Sequence, residues 1–144
     1  SAKEMHDKNL HFSSSAENEL NVFVRAVNEI LETAVNSFEE QNETVARTVE
    51  PLEEVIDQLN AEMKDRHIIR LRRGECTIEM GFILADVMNN YERISDHCSN
   101  IAICAIQENV DVDAHDYIVN LKTPDNTEFL AAVEQYKNKY YLPR

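Results

Sequence analysis

The thirty residues 77–106, TIEMGFILADVMNNYERISDHCSNIAICAI, contain a single glycine, Gly81, and no proline. Apolar or small side chains recur at Ile78, Phe82, Ala85, Met88, Tyr91, Ser95, Cys98, Ala102 and Ala105. Steps of three and four place them along one face of an α-helix. Thr77 stands where a cap is needed. The spacing therefore predicts a helix over 78–107, roughly 45 Å long at 1.5 Å per residue. Gly81 costs such a helix about 1 kcal/mol against alanine, which implies a close helix contact at that point.

Working upstream, Gly74 is a stop signal for a second helix that ends near Arg73. Its stripe is Val45, Val49, Leu52, Ile56, Leu59 and Met63, with Asn42 as its cap. Pro51 lies inside the stripe, where it removes a ladder bond and clashes with the carbonyl of Arg47. A kink near 47–51 is expected, or a short helix followed by a long one. Further upstream, Ser14-Ser15-Ala16-Glu17 has the capping-box pattern. The stripe Leu20, Phe23, Val27, Ile30, Ala34, Phe38 follows, and predicts a helix over 15–40. Three long helices with short connections must run up, down and up. The fold class is all-α, an antiparallel three-helix bundle over 14–110.

Residues 1–13 read as a leader, and Ser1-Ala2 matches the scar of a cleaved tag. Residues 111–144 read as a C-terminal helical extension. One short helix is expected within 111–121, carrying Tyr117, Ile118 and Leu121. Another is expected after the capping-box-like Asp125-Asn126-Thr127-Glu128, carrying Phe129, Val133, Tyr136 and Tyr140.

Composition narrows the function classes. Two glycines and three prolines in 144 residues are too few for the frequent turns of a sandwich or barrel. With 27 acidic against 14 basic residues the net charge is −13, which speaks against nucleic acid and for cations, metal ions or basic partner surfaces. No apolar run approaches the ~20 residues that span a bilayer, and no signal peptide is evident. Three cysteines without a Cys-x-x-Cys pair argue against a disulfide scaffold or a zinc ribbon and for a reducing compartment. Glu-x-x-His is absent, as are phosphate-loop and hydrolase motifs, so the chain does not read as an enzyme.

Chemistry concentrates in residues 89–100. Glu92 and Asp96 are four apart and project from one helix face, with Asn89 and Asn100 on the same strip. Two carboxylates at this spacing fit either a hard or borderline cation with oxygen ligands or a solvated acidic face. His97 reads as a surface or interface residue, and Cys98 and Cys104 as core-side thiols. Lys64, Arg66, Arg70, Arg72 and Arg73 form a basic cluster at a helix C-terminus. That place suits dipole stabilisation first, and Arg70, Arg72 and Arg73 are the secondary candidates for a partner or phosphate contact. The remaining acids of the first two helices read as a solvated face.

Tyr91-Glu92-Arg93-Ile94-Ser95-Asp96-His97-Cys98-Ser99-Asn100-Ile101-Ala102 resembles the signature helix of PhoU-like domains. Residues 51–59 and 66–71 resemble the second helix of the same unit. Arg66-His67-x-x-Arg70-Leu71, Gly74-Glu75-Cys76 and Gly81-Phe82 are more narrowly similar to the cytosolic PhoU-like repeat of bacterial sodium/phosphate cotransporters. The resemblance implies a regulatory domain at the cytoplasmic face of the cell membrane, as part of a larger membrane protein. A free-standing PhoU-type regulator and a structural docking module are the alternatives. It also implies a divalent metal or iron at Glu92 and Asp96, although Asn90 stands where relatives often carry Asp. The implied partners are a transporter membrane domain and a preceding PhoU-like repeat. A single repeat exposes the apolar surface that its neighbour would cover, so a homodimer is expected.

Overall fold

In the computed structural model, which describes residues 14–109 and 126–143, five helices follow one another without strands among the described residues. They are α1 (Ser14–Glu39), α2 (Glu43–Ala46), α3 (Val49–Arg72), α4 (Ile78–Asn109) and α5 (Thr127–Lys139). The long helices α1, α3 and α4 pack pairwise against one another, as the all-α bundle requires. Their shared core holds Phe23 and Ile30 of α1, Leu52, Ile56 and Met63 of α3, and Met88 and Ile106 of α4. Phe23 also meets Tyr91 edge-on, with ring centroids 6.2 Å apart.

Local chemistry sets the boundaries. The proline break takes the form of a separate single turn, α2, before α3. Asn42 caps α2 by accepting from the Val45 amide at 3.2 Å. Pro51 is the third residue of α3, inside the first turn, where a missing amide donor leaves no ladder bond unmade. At the other end of α3 the Glu75 amide donates to the Arg70 carbonyl and the Gly74 amide to that of Leu71. Gly74 has φ +72°, the left-handed conformation this closure needs. Thr77 Oγ1 then caps α4 by accepting from the Met80 amide at 3.1 Å. The cap of α5 is Asn126, which accepts from Phe129 N at 3.0 Å, one residue later than the Asp125 start predicts.

Three stripe positions depart from expectation. Phe38 is 50 % exposed, Ile78 66 % and Phe82 74 %. The inward face of α4 extends back through Met88, Leu84 and Met80, so Ile78 and Phe82 turn outward. Cys98 is buried, but Cys104 is exposed, two residues past the inward Ala102 and so off its face. The solvated face predicted for the remaining acids is also corrected. Glu19, Glu50 and Glu53 are buried, because the sides of α1 and α3 next to their apolar stripes are covered by neighbouring helices. The helix expected within 111–121 lies outside the described residues.

α5 packs on α3, and Phe129, Val133, Tyr140 and Leu142 join the bundle's own core. Tyr140 Oη donates to Glu29 Oε1 of α1 at 2.8 Å, with Lys139 on the same carboxylate. No helix of the described residues is long and apolar enough to cross a membrane.

Gly81 is a point of close approach, as its position implied. A Cβ there would lie 2.5 Å from Nε2 of His67 on α3. Gly81→Ala must displace the His67 ring, so it should gain less stability than helix propensity alone gives. In a His67→Ala background the same change should stabilise the protein by the full amount, about 1 kcal/mol. Urea unfolding of the four proteins checks the difference.

Candidate functional site: an acidic seam between α3 and α4

Glu92 is half-buried and reaches α3, Asp96 is exposed on α4, and the structure supplies what the sequence reading did not, an acidic group on α3 near them. On α3, Glu53, Glu54 and Asp57 place carboxylate oxygens within 4.8 Å of one another. Glu53 is buried, and Glu54 and Asp57 are half-buried. Helical spacing explains the grouping, since Glu53 and Asp57 are four apart and both adjoin the inward residues Leu52 and Ile56. Asn60, one further turn along, donates its Nδ2 to Glu92 Oε2 at 2.9 Å and so ties the two helices together. Asn89 and Asn100, expected to add polar contacts, are exposed on α4, and the amide of the seam comes from Asn60 instead.

The electrostatics follow from this crowding. Partial burial raises the Asp57 carboxyl above its ordinary value, and the negative charges of Glu92, Asp96 and Glu54 raise it further, against a hydrogen bond with Glu53 that lowers it. Asn60 Oδ1 is buried and has no hydrogen-bond partner among the described residues. Farther along the seam Ser99 Oγ donates to the buried Glu50. Ser95, fully buried, leaves its hydroxyl without a partner among the described residues. His97 is exposed beside this region, as the sequence reading has it.

The three α3 carboxylates offer only oxygen as a ligand atom. Such a set suits a hard or borderline cation and is a poor match for soft, thiolate-preferring metals. The α3 half was recognisable in principle, because Glu53-x-x-x-Asp57 has the same spacing as Glu92-x-x-x-Asp96. Its pairing with α4 is a tertiary contact with no local signature.

The basic cluster is placed differently from the seam. Arg70 is buried, and its Nη1 donates to both carboxylate oxygens of Glu19 on α1, at 3.1 and 3.0 Å. Arg66 reaches the same carboxylate at 3.3 Å, pairs with Glu62 at 2.9 Å and donates to the Pro143 carbonyl. Arg72 and Arg73 are exposed at the end of α3. Near them Cys76 Sγ lies 3.6 Å from His67 Nδ1. Burial raises the thiol's pKa and lowers the imidazole's, so both groups are favoured in their neutral forms.

A profile of the PhoU domain family matches residues 21–105, from the first turns of α1 to the last turns of α4. The match covers more than half of the chain, and the chain belongs to the PhoU domain family. The family is regulatory rather than enzymatic, and membership points to a phosphate-related regulatory role. No curated protein and no solved structure matches the chain significantly.

Asp57 makes the seam testable without any ligand. Its folded-state pKa is raised, so its contribution to stability is complete below the unfolded value and lost as pH rises through the folded one. Asp57→Asn should raise the thermal midpoint at pH 7. The difference from wild type should close as the pH falls to about 4, near the ordinary aspartate value. Calorimetric melts of both proteins across that range check it.

Proposed function

We propose that the chain is a regulatory PhoU domain that acts on a sodium-dependent phosphate cotransporter at the cytoplasmic face of the membrane, and that the acidic seam is its metal-sensing element. The observation that carries the metal reading is the grouping of Glu53, Glu54 and Asp57 on α3, near enough to Glu92 and Asp96 for their charges to act on Asp57. These residues would hold a divalent cation or iron through oxygen. Such an ion would supply positive charge where the helices now repel one another. The protein's own part is to hold α3 against α4 through Asn60 and Glu92, so that the carboxylates stay together. An ion that fits one spacing of the two helices better than another would bias the domain between conformations. The domain could then favour one transporter state over another.

The cotransporter context rests on the arginine, glycine and signature residues of 66–102 and on one surface. Ile68, Leu71, Ile78 and Phe82 present exposed apolar side chains along α3 and α4. Next to them lies an apolar hollow of about 230 Å³ lined by residues including Ile68, Leu84 and Met88. In the intact transporter a preceding PhoU-like repeat would cover this face. In the isolated domain a second copy would.

Titration calorimetry with manganese, zinc and iron(II) tests the metal. Saturable binding is expected, weakened at least tenfold in Glu92→Gln, Asp96→Asn and Asp57→Asn, which is a loss of about 1.4 kcal/mol or more. Binding untouched by all three changes, or none at all, would reduce the seam to a polar packing surface. Phe82→Glu tests the apolar face. The wild-type domain should sediment as a dimer at tens of micromolar and the variant as a monomer. In the full transporter, sodium-dependent uptake of labelled phosphate should change while the amount of protein in the membrane does not.

A further inference from the structure

Beside the inward stripe of α1 runs a second apolar line. Leu20, Val24, Val27, Leu31, Val35 and Phe38 follow one another in steps of four and three along one side of the helix. The first half of the line is covered, since Leu20 packs against the core and Val27 is buried within it. The second half is open: Leu31 is 42 % exposed, Val35 40 % and Phe38 50 %. Ile101 of α4, itself only partly buried, borders them, and an open hollow of about 230 Å³ is lined by Val35, Phe38, Glu39 and Ile101. Exposed apolar residues scattered singly need no explanation, whereas three in succession beside a hollow mark a contact surface.

Another groove of the bundle is already filled by the chain itself. α5 packs on α3 and reaches Glu29 of α1 through Lys139 and Tyr140. Glu29 and Leu31 lie on opposite sides of the inward Ile30, so α5 leaves the side of α1 next to Ile101 open. The open groove has the dimensions of a helix contact. Leu31 to Phe38 covers two turns, about 10 Å, which matches the anchor spacing of an amphipathic helix laid in a groove.

Charge decides what kind of helix fits. No lysine or arginine occurs between Arg25 and Arg47. Of the glutamates in that stretch, Glu29 is engaged by Lys139 and Glu43 by Arg47. Glu32, Glu39 and Glu40 are exposed and have no cationic partner among the described residues. On α4, Arg93 lies more than two turns before Ile101, and the nearer exposed side chains on that side are His97 and Cys104. A second copy seated through the same face would set the glutamates against their own equivalents. Residues 110–125 of the chain carry four aspartates and one lysine, and would add negative charge to a rim that is already negative.

We propose that this groove receives an amphipathic helix of another protein, with an apolar face bordered by lysine or arginine. Its apolar anchors lie along Leu31, Val35 and Phe38, and its basic residues meet Glu32 and Glu39. Ile101 is about 28 Å along α4 from Phe82, so this surface is separate from the one assigned to a neighbouring repeat or a second copy. It is equally independent of a metal at the seam.

The test is fluorescence anisotropy of a labelled helical peptide of leucine and lysine with all its leucines on one face. A second peptide has the same composition with the leucines spread around the helix, and a third has glutamate in place of lysine. Saturable binding of the first is expected, with the other two at least tenfold weaker. Binding of the first should also be at least tenfold weaker in Phe38→Gln and in the double variant Glu32→Lys/Glu39→Lys. It should be unchanged in Leu130→Ser on α5. All of these positions are exposed, and thermal melts by circular dichroism check that each variant is folded. No saturable binding of the first peptide, equal binding of the second or third, or wild-type affinity in either α1 variant would overturn the proposal. So would sedimentation in which Phe38→Gln alone converts a dimer to a monomer, since the face would then belong to a second copy.

Discussion

Charge has to be buried for this bundle to close, and the way it is buried organises the rest of the molecule. Three glutamates, Glu19, Glu50 and Glu53, lie at or near full burial on faces that meet other helices. A carboxylate in such a place must be paired or hydrogen-bonded. Glu19 is met by Arg70 and Arg66, which joins the start of α1 to the end of α3. Glu50 is met by Ser99, which joins the start of α3 to α4. Removing one partner of a buried pair costs about 3–5 kcal/mol, far more than the pair itself adds over an apolar replacement. These contacts therefore act as registers for the helices. The stability comes from the apolar core around Phe23, Leu52, Ile56 and Met88.

The same constraint separates two kinds of surface. Acids gather where α3 meets α4, and Asn60 is the neutral bridge that lets Glu92 approach α3. Guanidinium groups gather where α3 ends beside the start of α1. Carboxylates therefore crowd together at the seam, whereas Arg66 and Arg70 at the end of α3 are paired with Glu62 and Glu19. Both groups lie along α3, so a change at either place bears on the packing of that helix. α5 and the residues after it also rest on α3, with Pro143 held by Arg66. Differential binding to two packings of the same helices is all that regulation requires.

Much of this was open to a reading of the residues alone. The helix caps Asn42 and Thr77, the stop at Gly74 and the break around Pro51 are local events, fixed by backbone conformation and short-range hydrogen bonds. Glu92 and Asp96 were recognisable because a helix brings residues four apart onto one face. Their partners on α3 were not, although Glu53 and Asp57 have identical spacing, because spacing says nothing about which faces of two helices meet. Ile78 and Phe82 were misplaced for a related reason. An apolar side chain obeys helical periodicity on either side of a stripe boundary, and only the neighbouring helix decides which side is covered.

What the sequence determined by itself is the three long helices and their order, the caps Asn42 and Thr77, the antiparallel bundle and the acidic strip on α4. All of these follow from interactions within a few residues or from an apolar face that must be buried somewhere. The tertiary structure decided that Glu19 goes inside, that Arg66, Arg70 and Arg73 surround a cavity, and that a group of carboxylates on α3 stands near Glu92 and Asp96. Those outcomes depend on the rotation and register of one helix against another. Dense packing of large side chains from every helix at once sets that rotation, and no single segment encodes it.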